Sequence, residues 1–225
     1  CLVALFGYWG VLYFFADPAD PYSMLGNFGS KLDLLLIGER NLYMGEGVPF
    51  EPEGLLSTFP SVVNVIAGYF AGKLIQQIGN NIKTVKSLFL GGLILIVLCL
   101  IWDMAFPINK KLWTSSYVLL TVGLDLFLIG TLIMVIEVWK KRNWTYPFEV
   151  FGRNPLILYV LSGVVITIFY SIEIGGESLK GIIYEAAYTS WLSDKTASLL
   201  FAVSYMILIW LIGYWMDRKK IYIKV

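Results

Sequence analysis

Residues 87–106 read Ser-Leu-Phe-Leu-Gly-Gly-Leu-Ile-Leu-Ile-Val-Leu-Cys-Leu-Ile-Trp-Asp-Met-Ala-Phe, 20 positions with a single charge. A helix that crosses the hydrocarbon core of a bilayer needs about 20 apolar residues. Five more runs flank this one, at 1–16, 55–78, 112–139, 155–174 and 196–216. The first is short for a span. Residues 32–37 are too short to cross and are expected in the interface or as a re-entrant piece. The spacing predicts an all-α fold, a polytopic transmembrane helix bundle of about six spans. It forms a single transmembrane domain over 1–225, with a long outer loop at 17–54.

Composition agrees. Hydrophobic residues make up 58% of the chain and charged residues 15%, against about 45–50% and about 25% in soluble domains. The net charge of +1 gives no reason to expect nucleic acid. Cys1 and Cys99 both lie in apolar runs and can form neither a disulfide framework nor a metal cluster, so no metal is expected. Histidine is absent. The chain opens inside an apolar run, without a signal peptide's basic region or cleavage site. It is therefore expected to be a fragment of a longer protein, entered partway along a helix.

Lys and Arg set the expected orientation. Eleven of the 17 fall on one side: Lys73, Lys83, Lys86, Lys140, Lys141, Arg142, Arg153, Arg218, Lys219, Lys220 and Lys224. Six fall on the other: Lys31, Arg40, Lys110, Lys111, Lys180 and Lys195. The richer side, with the C-terminus, is expected to be cytoplasmic. Asp17, Asp20, Asp33, Glu39, Glu46, Glu51, Glu53, Glu173, Glu177, Glu185 and Asp194 then face outside. Trp102, Trp113, Trp139, Trp191 and Trp215 lie near span ends, where indoles favour the headgroup zone.

The outer face gathers the groups able to do chemistry. Phe-Glu-Pro-Glu-Gly-Leu-Leu-Ser-Thr-Phe-Pro (50–60) sets Glu51 and Glu53 directly before a span. They can simply favour a helix start capped by Ser57 or Thr58, or they can hold an amine or sugar hydroxyls. Phe-Pro-Ile-Asn-Lys-Lys-Leu-Trp-Thr-Ser-Ser-Tyr (106–117) supplies Asn109, Lys110, Lys111, Trp113 and Ser116. Its lysines can snorkel, or they can form an electropositive site for phosphate, carboxylate or a developing oxyanion. Glu51, Glu53, Asn109, Lys110 and Trp113 are expected to converge on one outer-facing pocket, with Lys111 and Ser116 as further substrate-binding candidates.

At the inner face, Phe-Gly-Arg-Asn-Pro (151–155) places Asn154 as an N-cap before Pro155. Asn154 is also a binding candidate, because Lys140, Lys141, Arg142 and Arg153 form a basic cluster that could receive phosphates of a nucleotide-like donor. Within the spans, Asn64 and Asp125 stand out, since polar groups at mid-bilayer mark functional sites by default. Gly-Tyr-Phe-Ala-Gly (68–72) predicts close helix packing.

Three stretches in this order resemble the heparan-α-glucosaminide N-acetyltransferase family of polytopic membrane proteins, and the bacterial members most. They are Glu-Pro-Glu-Gly-Leu-Leu-Ser-Thr (51–58), Pro-Ile-Asn-Lys-Lys-Leu-Trp-Thr-Ser-Ser-Tyr-Val (107–118) and Gly-Arg-Asn-Pro-Leu-Ile-Leu-Tyr-Val (152–160). Leu42-Tyr43 and the closing Arg-Lys-Lys-Ile-Tyr-Ile-Lys-Val (218–225) are similar too. The resemblance implies a membrane acyltransferase that moves an acetyl group from cytosolic acetyl-CoA to an amino sugar on the far side. It also implies that this chain is the C-terminal half of the protein, with a catalytic histidine in the N-terminal half upstream of Cys1, consistent with its absence here. Glu51 stands where the family commonly has Asp, and Leu161-Ser162 where animal members have His. The setting implied is a bacterial inner membrane, and a homo-oligomer is possible.

A transporter of a small polar or sugar substrate is the competing reading, resting on Asp125, Asn64 and Pro60 as parts of a polar pathway. A non-catalytic membrane subunit is the third.

Overall fold

The computed structural model describes residues 1–45 and 47–223. Glu46 of the expected outer acidic set, and Lys224 and Val225 of the basic tail, lie outside the described residues. The chain divides into two compact units, residues 1–141 and 142–225.

The first unit opens with α1 (Leu2–Phe15), followed by α2 (Phe28–Ile37) and a single 3₁₀ turn at Glu39–Asn41. Three long helices follow: α3 (Thr58–Ile78), α4 (Ile82–Asp103) and α5 (Ser115–Ile133), the last running on as a π-helical turn through Val138. Helices α4 and α5 form an antiparallel seam set by glycine. A Cβ on Gly92 would lie 2.8 Å from the Gly123 carbonyl oxygen, and one on Gly123 would lie 2.7 Å from Ile96. Small residues let helix backbones approach where lipid offers no hydrophobic drive. The Gly68/Gly72 pair, expected to be such a seam, is not one among the described residues. A Cβ on either would meet nothing within 4 Å, because α3 leans on its neighbours through Val63 and Ala71 instead.

The second unit has α6 (Tyr146–Arg153) and α7 (Pro155–Ser171), a two-stranded hairpin of β1 (Glu173–Ile174) and β2 (Glu177–Ser178), then α8 (Leu179–Tyr184) and α9 (Asp194–Arg218). The hairpin turns on Gly175 and Gly176, with φ of 66° and 91°, a region that L side chains avoid. Helices α6 and α7 meet at 86°. Pro155 lacks the N–H that would continue α6 and pushes Asn154 out of the helical region, to φ −137° and ψ 52°. Leu158 and Val150 close over Gly213 of α9.

Among the described residues, four helices are long and apolar enough to cross a membrane, or five with the bent α6–α7 pair taken as one span. The first expected span, at 1–16, holds the 14-residue apolar helix α1. Helix α4 starts at Ile82, earlier than expected, because Asn81 accepts from the N–H groups of Lys83 and Thr84 and so caps it. Of the five tryptophans expected in headgroups, Trp139, Trp191 and Trp215 are exposed, whereas Trp102 and Trp113 pack inward.

Candidate functional site

At the α3 entry, α1, α2 and the loops before α3 and α5 enclose a cleft lined by Tyr8, Asp33, Glu51, Ser57 and Lys111 among others. The loop before α3 is held from inside: Phe50 is buried and its N–H donates to the Tyr43 carbonyl at 3.1 Å. Asp33 is 2% exposed. Its Oδ1 accepts from the Leu55 N–H at 3.1 Å, and its Oδ2 lies where a Cβ on Gly54 would be, 2.1 Å away. Gly54 is therefore the residue that lets this carboxylate lie against the chain. Burial pushes the Asp33 carboxyl above the ordinary carboxylate range; the Leu55 N–H opposes the rise and the Glu51 charge adds to it.

The cleft itself is a void of about 10 Å³, room for one water and no more. A sugar would have to lie across its mouth. Glu51 and Lys111 both line it, so the two stretches meet there. Glu53 is exposed, and its N–H donates to Glu51 Oε1 at 3.2 Å. Lys110 is exposed and does not line the cleft.

The other candidates in this stretch are committed locally. Asn109 Oδ1 accepts from the N–H groups of Lys111 at 2.9 Å and Leu112 at 3.3 Å, building the turn that carries Lys111. Ser116 is buried and shares a hydrogen bond of 3.1 Å with Thr114, whose hydroxyl caps α5. Trp113 has φ of 52° and turns away from the cleft, and its Nε1 donates to Asn64 Oδ1 at 3.2 Å. Asn64 Nδ2 in turn donates to Thr121 at 3.0 Å. The polar residue inside α3 thus ties that helix to the Trp113 loop and to α5. Ser57 does not cap α3 with its side chain; its hydroxyl donates to the Gly54 carbonyl at 2.7 Å and closes the Gly54–Ser57 turn that leads into α3.

In the second unit, Asn154 makes no cap bond. It is 1% exposed, donates to the Ile221 carbonyl at 2.9 Å and accepts from the Ile223 N–H at 2.9 Å. It clamps the tail. Asp217 accepts from Arg153, from Tyr146 at 2.9 Å and from Tyr222 at 2.9 Å. Arg153 also reaches Glu149 at 3.3 Å. Arg153 is thereby drawn out of the basic set expected to receive phosphates, and Lys219 and Lys220 remain exposed beside it.

Sequence reading passed over Asp33 and Asp217. Each had a signal: Asp33 interrupts the apolar run 32–37, and Asp217 ends the last span among basic residues.

The apolar helices, the membrane-spanning lengths and a polar rim make this chain an integral polytopic α-helical membrane protein. No family profile matches it. It is similar to heparan-alpha-glucosaminide N-acetyltransferase of Mus musculus, 32% identical over 60% of this chain and 23% of that protein. It is similar to the Homo sapiens protein of the same name, 29% identical over 71% of this chain and 28% of that protein. The chain is thus homologous to part of the heparan-alpha-glucosaminide N-acetyltransferases, as its motifs led us to expect. It spans about a quarter of the length of these relatives.

Proposed function

We propose that the protein to which this chain belongs transfers an acetyl group from acetyl-CoA to an amino sugar held on the outer side of a bacterial inner membrane, with the C-terminus cytoplasmic. The observation that carries the reading is the shared cleft of Glu51 and Lys111, taken with the acetyltransferase names of the relatives.

A protonated amine laid across the cleft mouth would be held by Glu51, with Glu53 on the same turn able to accept from sugar hydroxyls. Attack requires the amine to lose its proton to a base; its nitrogen then bonds to the thioester carbonyl carbon, the C–S bond breaks, and CoA leaves as a thiolate that takes up a proton. Lys111 is placed to face the negative charge that develops on the carbonyl oxygen. The base assigned by the resemblance is a histidine outside residues 1–225. The donor is approached from the inner side, where Lys219 and Lys220 stand exposed to meet its phosphates.

Purified full-length protein in liposomes, given labelled acetyl-CoA, is expected to acetylate glucosamine-type acceptors and to lose this activity with Glu51→Gln. Movement of the sugar across the liposome membrane without consumption of acetyl-CoA would overturn the proposal in favour of a transporter.

A further inference from the structure

Asp125 stands near the middle of the Ser115–Val138 span, about 15 Å from its start. It is exposed, and among the described residues it makes no hydrogen bond or ion pair. It lies two positions beyond Gly123, about 200° around the helix. The Gly123 side is sealed onto α4, where a Cβ would lie 3.0 Å from the Gly92 carbonyl oxygen, so α5 cannot rotate to hide the carboxylate. Leu124 and Leu128 beside it are also exposed, at 52% and 59%.

Ionisable groups at this depth face protein or water rather than lipid, and they pair. Among the described residues no span carries a cation at mid-depth, and Arg153 of the bent α6–α7 pair is taken up by Asp217 and Glu149. Lys73 lies in the last two turns of α3, Lys83 and Lys86 in the first two of α4, and Lys195 and Arg218 at the ends of α9, while histidine is absent. A second copy docked through the same face would set the carboxylate against itself, since a two-fold interface is self-facing, and like charges there oppose ionisation. The mouse and human relatives extend well beyond the matched region, which covers 23% and 28% of them.

We propose that the Asp125 face of α5 docks a transmembrane segment from outside residues 1–225 that carries a cationic side chain, Lys, Arg or protonated His, at mid-depth. The proposal concerns assembly and stands independently of the acetyl-transfer reading, because its readouts need no turnover.

Two experiments on full-length protein in liposomes test it. A spin label on Leu128→Cys, one turn along with Asp125 intact, is expected to be immobilised and shielded from oxygen. A mobile, oxygen-accessible label overturns the docking. Asp125→Lys is expected to lower the yield of folded protein, and converting one intramembrane Lys, Arg or His outside 1–225 to Asp in that background is expected to restore it. Failure of every such conversion overturns the cationic partner, and an unchanged melting temperature for Asp125→Leu overturns both.

Discussion

At the end of α9, Asp217 accepts hydrogen bonds from an arginine and two tyrosines, the arginine has a second carboxylate in Glu149, and Asn154 uses both ends of its amide on the tail. At the entry to α3, Glu51 accepts the Glu53 N–H and opens onto a cleft shared with Lys111, while Glu53 and Lys110 point into the open. Both places looked alike in sequence, as charged motifs beside a span. Their difference is saturation. A carboxylate whose hydrogen-bonding capacity is consumed within the protein, as at Asp217, acts as a fastener, whereas one that opens onto a cleft mouth, as Glu51 does, can meet a ligand. The contrast favours the α3 rim for the acceptor and assigns the Asp217 cluster to holding α6, α9 and the tail together.

The largest effect that separates the two places is expected at Lys111. Lys111→Met in full-length protein should slow acetyl transfer about 10²–10³-fold, the scale for losing one donor to a developing oxyanion, with a smaller fall in melting temperature than Asn154→Ala, since its ammonium also lies 3.8 Å from Met24 Sδ. A drop in melting temperature matching the loss of rate would erase the distinction, making Lys111 a fastener as well.

Asn154→Ala should do the reverse. It strips partners from the Ile221 carbonyl and the Ile223 N–H, and a buried polar group left unmet costs about 1–3 kcal/mol. Thermal unfolding in detergent should show that loss, with the tail newly sensitive to carboxypeptidase. A tail that stays protected would show that Tyr222 and Asp217 suffice.

How much of this could be read from the chain alone follows from what each signal measures. Apolar run length finds long helices, so α3, α4, α5 and α9 were legible to within a few residues. It cannot see that Pro155 bends the chain by 86° between α6 and α7. Motif chemistry named Glu51 and Lys111, which line one cleft, but expected Trp113 in the same pocket, because spacing along the chain cannot show that a left-handed residue turns the indole toward Asn64. Asp33 was passed over for a similar reason. Its burial comes from Gly54 and Leu55, 22 residues further on in the case of the Leu55 hydrogen bond.

Asp33 gives a pH test of the α3 rim. Its carboxyl titrates above the ordinary value when folded, so between the unfolded and folded values the folded protein binds more protons. Stability should then fall as pH rises through that window, which begins near pH 4. Asp33→Asn, which keeps an oxygen to accept from Leu55, should flatten this dependence in thermal unfolding. A variant that retains the full slope would place its source elsewhere.

The smallest effect is expected at Asn64, where the comparison meets the membrane. Asn64 is saturated like Asn154, accepting from Trp113 and donating to Thr121, yet it lies inside a span. Hydrogen bonds between transmembrane helices average about 0.6 kcal/mol, because the unfolded chain in the bilayer finds other partners for the same groups. Asn64→Leu should therefore lower stability by about that much per bond, less than Asn154→Ala, although both side chains make two bonds. The indole of Trp113 would lose its anchor at the same time, so its fluorescence should shift with little change in melting temperature. A transporter using Asn64 as part of a polar path would instead lose substrate movement outright with the stability unchanged, so measuring melting temperature and liposome flux on the same variant decides between a fastener and a pathway residue.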